Sequence, residues 1–447
     1  MASIKQKKNF LSVYLLIITS NSFANGVLRN GIGSHSIGLG GSDLVFSGSP
    51  LGAMNSNPAA LSRWKNHELQ LSLTTAILDA EYSNSVSNDN EADSTPGLIP
   101  DFAYIHSLTD RLTLGVAINP ISAVEADWKF LDPPGAVGSY GLQTHKSSFV
   151  ALRSALGLGF EVTPEFSLGA SVGLIYNRNR LKAPYIFQTA TGLAGTKVLA
   201  NLDADGIGWN RVFSGIYRPN EIFEFSLGYT TRTTFTADGT LRGTSDPVIG
   251  VGDFAYDAEV KTALPQMISV GMGWQVTHPL RVGLQIDWID WSDAFDRLPL
   301  TLTNGTNGAL PATINDVAPL DWEDRFVYRF GAEYDWSDKL QIRAGYSFGE
   351  SPAPSETLTP TSAVIMKHTL GFGAGYRVGN YTIDLAYQWD LPTEDKTGTS
   401  RLLAGEYNGS RTDISIHWDQ YWYHFWEVMS TLDRCCLALF CCFKLFA

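Results

Sequence analysis

The feature that most limits how this chain can fold is a period-two alternation of apolar and polar residues. In the stretch 280–288, LRVGLQIDW, the even positions are apolar and the odd positions are Arg, Gly, Gln and Asp. Successive side chains of a β-strand point to opposite faces, so this pattern predicts a strand with one apolar and one polar face. The same alternation recurs at 326–334, 340–348, 381–389 and 414–418.

Strand patterns separated by turn residues occur along most of the chain and predict about fourteen strands. They are predicted at 67–82, 99–108, 111–120, 146–161, 165–178, 196–218, 222–237, 256–277, 279–292, 323–336, 339–349, 366–378, 380–390 and 410–426. Short turns at 108–111, 163–164, 219–221, 277–279, 337–338 and 379–380 alternate with long segments such as 79–98, 121–145, 293–322 and 350–365. Bacterial outer-membrane barrels alternate short periplasmic turns with long extracellular loops, whereas a soluble β-sandwich has no reason to do so. The sequence therefore predicts an all-β protein, a transmembrane antiparallel β-barrel.

The composition agrees with a surface that is partly apolar. Charged residues make up 17% of the chain, compared with about 25% in an average soluble domain. Aromatic residues lie near the ends of the predicted apolar faces, as in the interfacial girdles of membrane barrels, while glycine and isolated charges occupy the opposite faces. The net charge of -13 argues against a nucleic-acid-binding protein, which needs a basic surface to displace counterions from phosphate.

The first residues have the pattern of a secretory signal peptide. Three lysines precede an apolar run at 10–18, and Ser22 and Ala24 form an S-x-A cleavage pattern. We expect a signal peptide at 1–24, with cleavage after Ala24. Beyond it the sequence contains no run of eighteen apolar residues, which argues against a transmembrane helix but leaves an exported chain free to enter a membrane as a barrel.

A barrel of about fourteen strands encloses more space than the side chains of its wall fill. The segment 25–65 precedes the first predicted strand, is rich in Gly, Ser and Asn, and shows no strong alternation. We therefore predict that it forms an N-terminal hatch, or plug, inside the lumen of a barrel that spans 66–426.

All four cysteines lie in an atypical tail at 427–447, at positions Cys435, Cys436, Cys441 and Cys442. They are too close to the end of the chain to form a disulfide framework for its body. The two CC pairs also lack the C-x-x-C spacing of a zinc site, so we predict neither a metal nor a cofactor. The role of the tail stays open.

The plug segment GIGSHSIGLGGSDLVFSGSPLGAMNSNPAAL, at 31–61, resembles the N-terminal hatch of the FadL/TodX family of outer-membrane transporters. The resemblance rests on its glycine-rich run and on the triplet Asn57, Pro58 and Ala59. Stretches similar to the family follow in the family's order at 100–120, 206–219, 264–276, 287–295 and 340–354. The likeness extends to about Phe425. Barrels of this kind usually stop at a terminal aromatic residue, whereas this chain continues past Phe425 into the tail at 427–447.

The resemblance implies passive transport of hydrophobic compounds, either long-chain fatty acids or aromatic hydrocarbons, across the bacterial outer membrane. Extracellular loops would capture the ligand, an apolar pocket in the lumen would hold it, and movement of the hatch would release it. The Asn57, Pro58 and Ala59 triplet is the expected gate, although Asn-Pro is also a common turn former. The family's lateral exit lies beside a kinked third strand. Gly115, Asn119 and Pro120 are its expected counterparts here because they weaken a strand ladder.

Two apolar clusters in predicted extracellular loops are candidates for ligand binding. They are Trp128, Phe130 and Leu131 in one loop, and Tyr185, Ile186 and Phe187 in the next. Large exposed apolar clusters usually bind a ligand or a partner surface. Here ligand capture and packing between loops are equally compatible with them.

Several charged residues are predicted to point into the lumen. They are Arg281, Asp287, Arg329, Glu333, Arg343 and Asp384. Because buried charges usually pair, we expect ion pairs that stiffen the wall or bind the hatch. An arginine that holds a fatty-acid carboxylate is the alternative.

Two other functions compete with hydrophobic transport. A porin for small hydrophilic solutes would need an open, charged constriction in place of a plug. An outer-membrane lipase would need a serine and a histidine, as at Ser415 and His417, but the sequence contains no G-x-S-x-G motif. We therefore predict no catalytic residues and no enzyme activity.

The expected partners follow from the predicted membrane barrel. They are a hydrophobic small-molecule ligand, outer-membrane lipid and lipopolysaccharide, and the barrel-insertion machinery. No nucleic acid is expected as a partner, and the barrel is expected to be a monomer.

Overall fold

The computed structural model describes residues 26–84, 86–87, 90–93, 95–134, 138–362, 365–397, 401–402 and 414–432, with the backbone alone at 397 and 414–432. The predicted signal peptide and the four cysteines lie outside the described residues. The helices are short: α1 (Ser34–Gly38), α2 (Pro50–Asn55), α3 (Trp291–Ala294) and the 3-10 helices η1 (Pro58–Arg63) and η2 (Ser355–Thr357). In the described part of the chain, no helix has the length and apolar character needed to cross a membrane.

Across the residues that the structure describes there are nineteen β-strands. They are β1 (His67–Ser83), β2 (Asn90–Glu91), β3 (Gly97–Thr109), β4 (Leu112–Leu131), β5 (Leu142–Thr163), β6 (Phe166–Ile186), β7 (Lys197–Tyr217), β8 (Phe223–Thr230), β9 (Thr233–Thr244), β10 (Asp253–Leu264), β11 (Met267–Thr277), β12 (Leu280–Ile289), β13 (Arg297–Thr303), β14 (Ile314–Pro319), β15 (Arg325–Asp335), β16 (Leu340–Gly349), β17 (His368–Val378), β18 (Tyr381–Thr397) and β19 (Ile414–Leu432).

Backbone pairing joins fourteen of these strands into an antiparallel barrel. The order of pairing is β1-β3-β4-β5-β6-β7-β8-β11-β12-β15-β16-β17-β18-β19, and β19 pairs with β1 again. Closure removes the unpaired edges that hydrocarbon does not solvate. The predicted fold, including the number of strands, is confirmed.

The two faces of the wall differ as the alternation predicts. On β6, the outward residues Leu168, Val172 and Tyr176 are exposed, while the inward residues Ser167 and Ser171 are buried. The next outward residue after Tyr176 is an arginine, so the apolar outer face ends there. This outer band is the part of the wall that faces lipid.

Several strands are longer than predicted, because pairing continues above the apolar band into segments predicted as loops. β4 reaches Leu131, β6 reaches Ile186 and β18 reaches Thr397. The predicted loop 293–322 contains the paired strands β13 and β14. The strand predicted at 410–426 is β19, which runs to Leu432.

Two predicted strands are each broken in the middle. The strand predicted at 222–237 becomes β8 and β9, separated by Thr231 and Arg232. The strand predicted at 256–277 becomes β10 and β11, separated by Pro265 and Gln266, where proline removes a backbone donor from the ladder. Above the breaks, β9 pairs with β7 and β10, and β10 also pairs with β13.

The segment before β1 lies inside the ring as a hatch, and nearly all its residues are buried. Its backbone amides at Leu44 and Leu51 donate to side chains of β12 and β1, at 3.0 and 2.8 Å. The Ser62 hydroxyl lies 2.9 Å from a serine hydroxyl of β6. Lys65 Nζ donates to the backbone of the short β3–β4 turn at 2.6 Å. The hatch therefore closes the end of the barrel that carries the short, periplasmic turns.

Glycines in the wall permit the closest contacts with the hatch. A Cβ at Gly169 would lie 2.1 Å from the backbone nitrogen of Ala59, and one at Gly345 would lie 2.0 Å from the carbonyl carbon of Leu39. Any larger residue at either position requires the hatch to move.

A candidate ligand cavity above the hatch

Above the hatch, near the extracellular ends of the strands, the barrel contains a cavity of about 360 Å³. Its apolar lining comes from several strands and from the segment after α3, and it includes Phe149, Leu181, Leu202, Val260 and Phe295. All of these except Phe295 occupy inward positions of strands that continue above the membrane. Side chains still alternate between the two faces above the membrane, but there the apolar residues are on the inner face. Such a cavity binds apolar molecules, because burial of apolar area contributes about 25 cal/mol per Å².

The first residues of the hatch contribute to the floor of the cavity. Val27 lines it, and the Val27 carbonyl accepts a hydrogen bond from Ser122 Oγ at 2.6 Å. Gly26 has a left-handed backbone, with φ of 64°, and lies so close to the Trp291 ring that a Cβ would approach it to 2.4 Å. The floor is therefore part of the hatch.

A carboxylate clamps the extracellular segments together over the cavity. Asp316 in β14 is 1% exposed and accepts hydrogen bonds from Tyr185 Oη and Thr189 N at 2.6 Å, and from Ala190 N at 3.0 Å. This contact holds the β13–β14 hairpin against the β6–β7 loop.

A second contact joins the β4–β5 loop to the end of β9. Tyr140 donates to the Thr244 carbonyl at 3.2 Å. Burial raises the pKa of Tyr140 to about 12, so it remains a donor at neutral pH.

The buried cation at the cavity, Lys197, already has an anionic partner. Lys197 Nζ donates to Asp132 at 3.0 Å and to the carbonyls of Pro133 and Gly138 at 2.5 and 3.1 Å. His145 stacks on Phe130 with ring centroids 3.7 Å apart. The cavity is thus an apolar surface with few free polar groups.

Of the six residues predicted to bind ligand, Phe130, Tyr185 and Ile186 line the cavity. The other three do not. Trp128 is buried and donates through Nε1 to the Pro360 carbonyl at 3.1 Å, whereas Leu131 points outward and is 44% exposed. Phe187 belongs to a neighbouring buried cluster, where it meets Tyr185 edge to face.

The prediction missed other lining residues, notably Phe149, Leu202 and Phe295. The first two lie on strands that were predicted correctly, at inward positions above the membrane band. Continuing the alternation beyond the predicted membrane span would have identified them. Phe295 has no such signal, because it lies in the irregular segment after α3.

The predicted gating triplet lies where the hatch meets the wall. The buried Asn57 donates through Nδ2 to the Leu44 carbonyl at 2.7 Å, which ties two parts of the hatch together. Pro58 begins η1, and the Ala59 amide donates to Ser214 Oγ on β7 at 2.8 Å. The triplet also forms the turn that enters η1, and its role as a gate stays a prediction.

The third strand of the barrel, β4, does not end at Pro120 as predicted. It continues to Leu131 after a register shift between Pro120 and Ser122. Its pairing with β3, however, stops at Ile118. Asn119 and Pro120 therefore lie where the β3–β4 ladder opens.

Gly115, the third residue predicted at the lateral opening, lies elsewhere. It is in the fully paired part of β4, where a Cβ would lie 2.3 Å from Met54 Sδ of the hatch. Its small size serves the contact between wall and hatch, so its placement at the opening is corrected.

The opening between β3 and β4 is filled by Arg29 of the hatch, whose side chain is 1% exposed. Its guanidinium donates to both carboxylate oxygens of Asp101, at 2.6 and 3.1 Å, and to the Pro120 carbonyl at 3.0 Å. Its backbone amide donates to the Ile121 carbonyl at 3.1 Å. The hatch thus completes the wall where the two strands separate.

The charges predicted in the lumen are paired, as expected. Arg329 lies 2.7 Å from Asp287, and Arg343 bridges Glu333, at 3.0 Å, and Asp384. Arg281 lies 3.3 Å from a glutamate of β8. Arg329 also donates to the Gly40 carbonyl at 3.0 Å, so this network binds the hatch as well as stiffening the wall.

Comparison with known proteins places this arrangement in a family. Residues 15–412 match the family model described as outer membrane protein transport protein (OMPP1/FadL/TodX). The chain belongs to the FadL/TodX family. Family membership places it in the bacterial outer membrane and agrees with the plugged barrel described above.

Solved structures share the FadL/TodX fold. A Pseudomonas aeruginosa FadL homologue is 16% identical with a TM-score of 0.72, over 91% of this chain and 100% of that chain. The P. putida toluene transporter TodX is 19% identical with a TM-score of 0.72, over 91% and 99%. The Ralstonia pickettii toluene transporter TbuX is 19% identical with a TM-score of 0.67, over 90% and 99%. A search of curated protein sequences found no match.

Proposed function

We propose that this protein lets hydrophobic compounds cross the outer membrane passively. The observation that carries the proposal is an apolar cavity below the extracellular segments that is separated from the periplasmic end by a fitted hatch. A hydrophilic porin needs an open polar passage, and the filled lumen argues against it. The family description as a transport protein supports the absence of catalysis, and we propose a monomer that the barrel-insertion machinery places in the membrane.

The cavity favours neutral ligands over carboxylates. Among the described residues, its cationic lining side chains are Lys197 and Arg180. Lys197 is bound to Asp132 at 3.0 Å, and Arg180 lies 3.6 Å from Asp203. A fatty-acid carboxylate would compete with both partners, whereas an aromatic hydrocarbon needs no counter-ion. Toluene transporters among the similar structures support this choice.

The proposal is tested by uptake of labelled toluene, oleate and a small sugar into cells with and without the protein. We expect faster entry of toluene, a smaller effect on oleate and no change for the sugar. Faster sugar entry with no change in either hydrophobic compound would support a porin.

The proposed exit is the opening between β3 and β4, with Arg29 as its closure. Removing this side chain in the pair Arg29→Ala and Asp101→Asn opens the gap without leaving a buried unpaired carboxylate, which would cost about 3–5 kcal/mol. We expect toluene uptake to rise severalfold, measured in cells with equal amounts of folded barrel. Slower uptake by an intact barrel would show that Arg29 assists passage instead of blocking it.

The proposed gate is the Asn57, Pro58 and Ala59 triplet. Asn57→Ala removes the hydrogen bond to the Leu44 carbonyl, a loss of about 1 kcal/mol that disorders the hatch locally without unfolding the barrel. We expect slower toluene uptake and an unchanged heat-modifiable band on gels. Asn220→Ala, in an exposed periplasmic turn, is the matched control. Loss of the band in the Asn57 variant would make the triplet structural.

A further inference from the structure

A second cavity, of about 450 Å³, lies as a groove on the outer wall between β9, β10 and the segment around α3. Its charged lining consists of Arg232, Lys261, Arg297, Asp293 and Asp296. Nine of its thirteen lining residues are polar or charged, in contrast to the apolar cavity above the hatch.

The groove forms where the wall is interrupted. Pairing of β10 with β13 ends at Val260 and Leu300, and pairing of β11 with β12 begins at Met267 and Ile289. Between these limits α3 takes the place of a paired strand. Together with the interruption between β8 and β9 at Arg232, this leaves a recess in the wall.

The groove lies directly above the lipid-facing band. The outward residues just below it on β8, β11, β12 and β15 are Tyr229, Ile268, Trp288 and Phe326, which lie opposite one another in the ladder. Tyr229, Ile268 and Phe326 are 37%, 42% and 53% exposed. Aromatic residues at the end of an apolar band mark the membrane interface. The groove is therefore at the height of the headgroups of the outer leaflet.

Its cations are held in position but keep donors available. Arg232 Nε lies 3.0 Å from Asp293, and Arg297 Nη2 lies 2.6 Å from Asp296. Lys261 lies 3.3 Å from a glutamate of β10. These pairs are partly or largely exposed, so water and salt weaken them. A guanidinium has five N–H donors and binds phosphate in a bidentate manner, so a phosphate group can join these pairs or displace the carboxylates.

We propose that this groove binds the phosphorylated sugar headgroup of an outer-leaflet glycolipid. The cations would hold phosphate, and the hydroxyls of Thr234, Thr236 and Ser292, which also line the groove, would meet the sugar. The acyl chains would lie on the apolar face immediately below. This site depends on the position of the barrel in the membrane and is independent of the ligand that passes through the lumen.

The test measures binding of fluorescent bisphosphorylated lipid A to the purified full-length protein in nanodiscs. The triple variant Arg232→Gln, Lys261→Gln and Arg297→Gln removes the cations of the groove. We expect it to bind at least about tenfold more weakly, as loss of several charge-assisted contacts implies. Dephosphorylated lipid A should bind the original protein and the variant equally weakly.

The matched control removes three exposed cations at the periplasmic end, with Arg111→Gln, Lys339→Gln and Arg377→Gln. It should bind lipid A as the original protein does. An equal loss in both variants, or no loss in the groove variant, overturns the proposal. Complete displacement of lipid A by millimolar inorganic phosphate also overturns it, because the site would then recognise phosphate alone.

Toluene uptake separates this inference from the proposed transport function. The groove variant should take up toluene at the original rate, since none of its three changed residues lines the inner cavity. If lipid A binding is unaffected while uptake continues, the groove proposal fails and the transport proposal stands.

Discussion

Replacing Ala183 with tryptophan is expected to lower toluene uptake by at least about tenfold, because the new side chain occupies the space that the ligand needs. Ala183 lies on β6, is 5% exposed and lines the cavity of about 360 Å³. The indole can extend into this space, so it need not distort the wall. Uptake measured in cells with equal amounts of folded barrel gives the result.

The matched control is Ala170→Trp on the same strand. Ala170 occupies an outward position between Leu168 and Val172, where a tryptophan meets lipid. It should leave uptake unchanged. Normal uptake by the Ala183 variant, with its barrel intact, would mean that the ligand takes another path through the molecule.

Replacing Gly169 with leucine is expected to make the outer membrane leaky to small hydrophilic solutes. A Cβ at this position would lie 2.1 Å from both Ala59 N and the carbonyl carbon of Pro58, which are backbone atoms and cannot rotate away. The hatch must therefore shift from the wall at η1. We expect sugar entry into proteoliposomes to rise by at least about tenfold, since a barrel of this size is wide enough for an aqueous passage once the plug moves.

Gly215→Leu on β7 controls for the loss of a wall glycine. A Cβ there meets Leu168 at 3.5 Å, an ordinary contact on the outer face, and does not touch the hatch. This variant should stay impermeable to sugar. A Gly169 variant that folds and remains impermeable would show that the hatch yields without opening, and gating by hatch movement would lose its support.

The barrel could be predicted from sequence because one physical rule governs each strand. In a wall that separates lipid from the lumen, the side-chain period of two maps directly onto an apolar and a polar face, as in 280–288. The turns at the periplasmic end are short, so their positions could also be predicted from the sequence. The cost of an unpaired charge in a closed lumen predicted that lumenal charges would form ion pairs. Which charges pair, as Arg329 does with Asp287, is seen only in the structure.

The upper ends of the strands were harder to predict. Above the membrane the outer face becomes polar, as at Arg178 on β6. The alternation of apolar outward and polar inward residues, which lipid imposes, therefore no longer marks the strand. Whether such a segment continues as a strand depends on its partner across the ladder. β4 and β5 continue together as far as Leu131 and Leu142 because each provides the other's hydrogen bonds.

The site residues show a second limit. Trp128 and Phe130 share the inward face of β4, yet Phe130 reaches the cavity and Trp128 packs against the segment at Pro360. Arg29 fills the opening between β3 and β4 by binding Asp101, which is 72 residues away in the chain. Contacts of this kind are set by the closure of the barrel, which brings distant segments together, and no local pattern encodes them.

Transport of hydrophobic compounds through the barrel is tested most directly by locating a hydrophobic ligand in crystals of the full-length protein. The crystals are grown with iodobenzene, and the anomalous signal of iodine gives its position. We expect an iodine peak in the cavity above the hatch, beside Phe149 and Phe295, whose rings lie 6.2 Å apart. The peak should disappear in the Ala183→Trp variant. Iodine confined to the lipid-facing surface, with none in this cavity, would show that hydrophobic compounds do not bind inside the barrel.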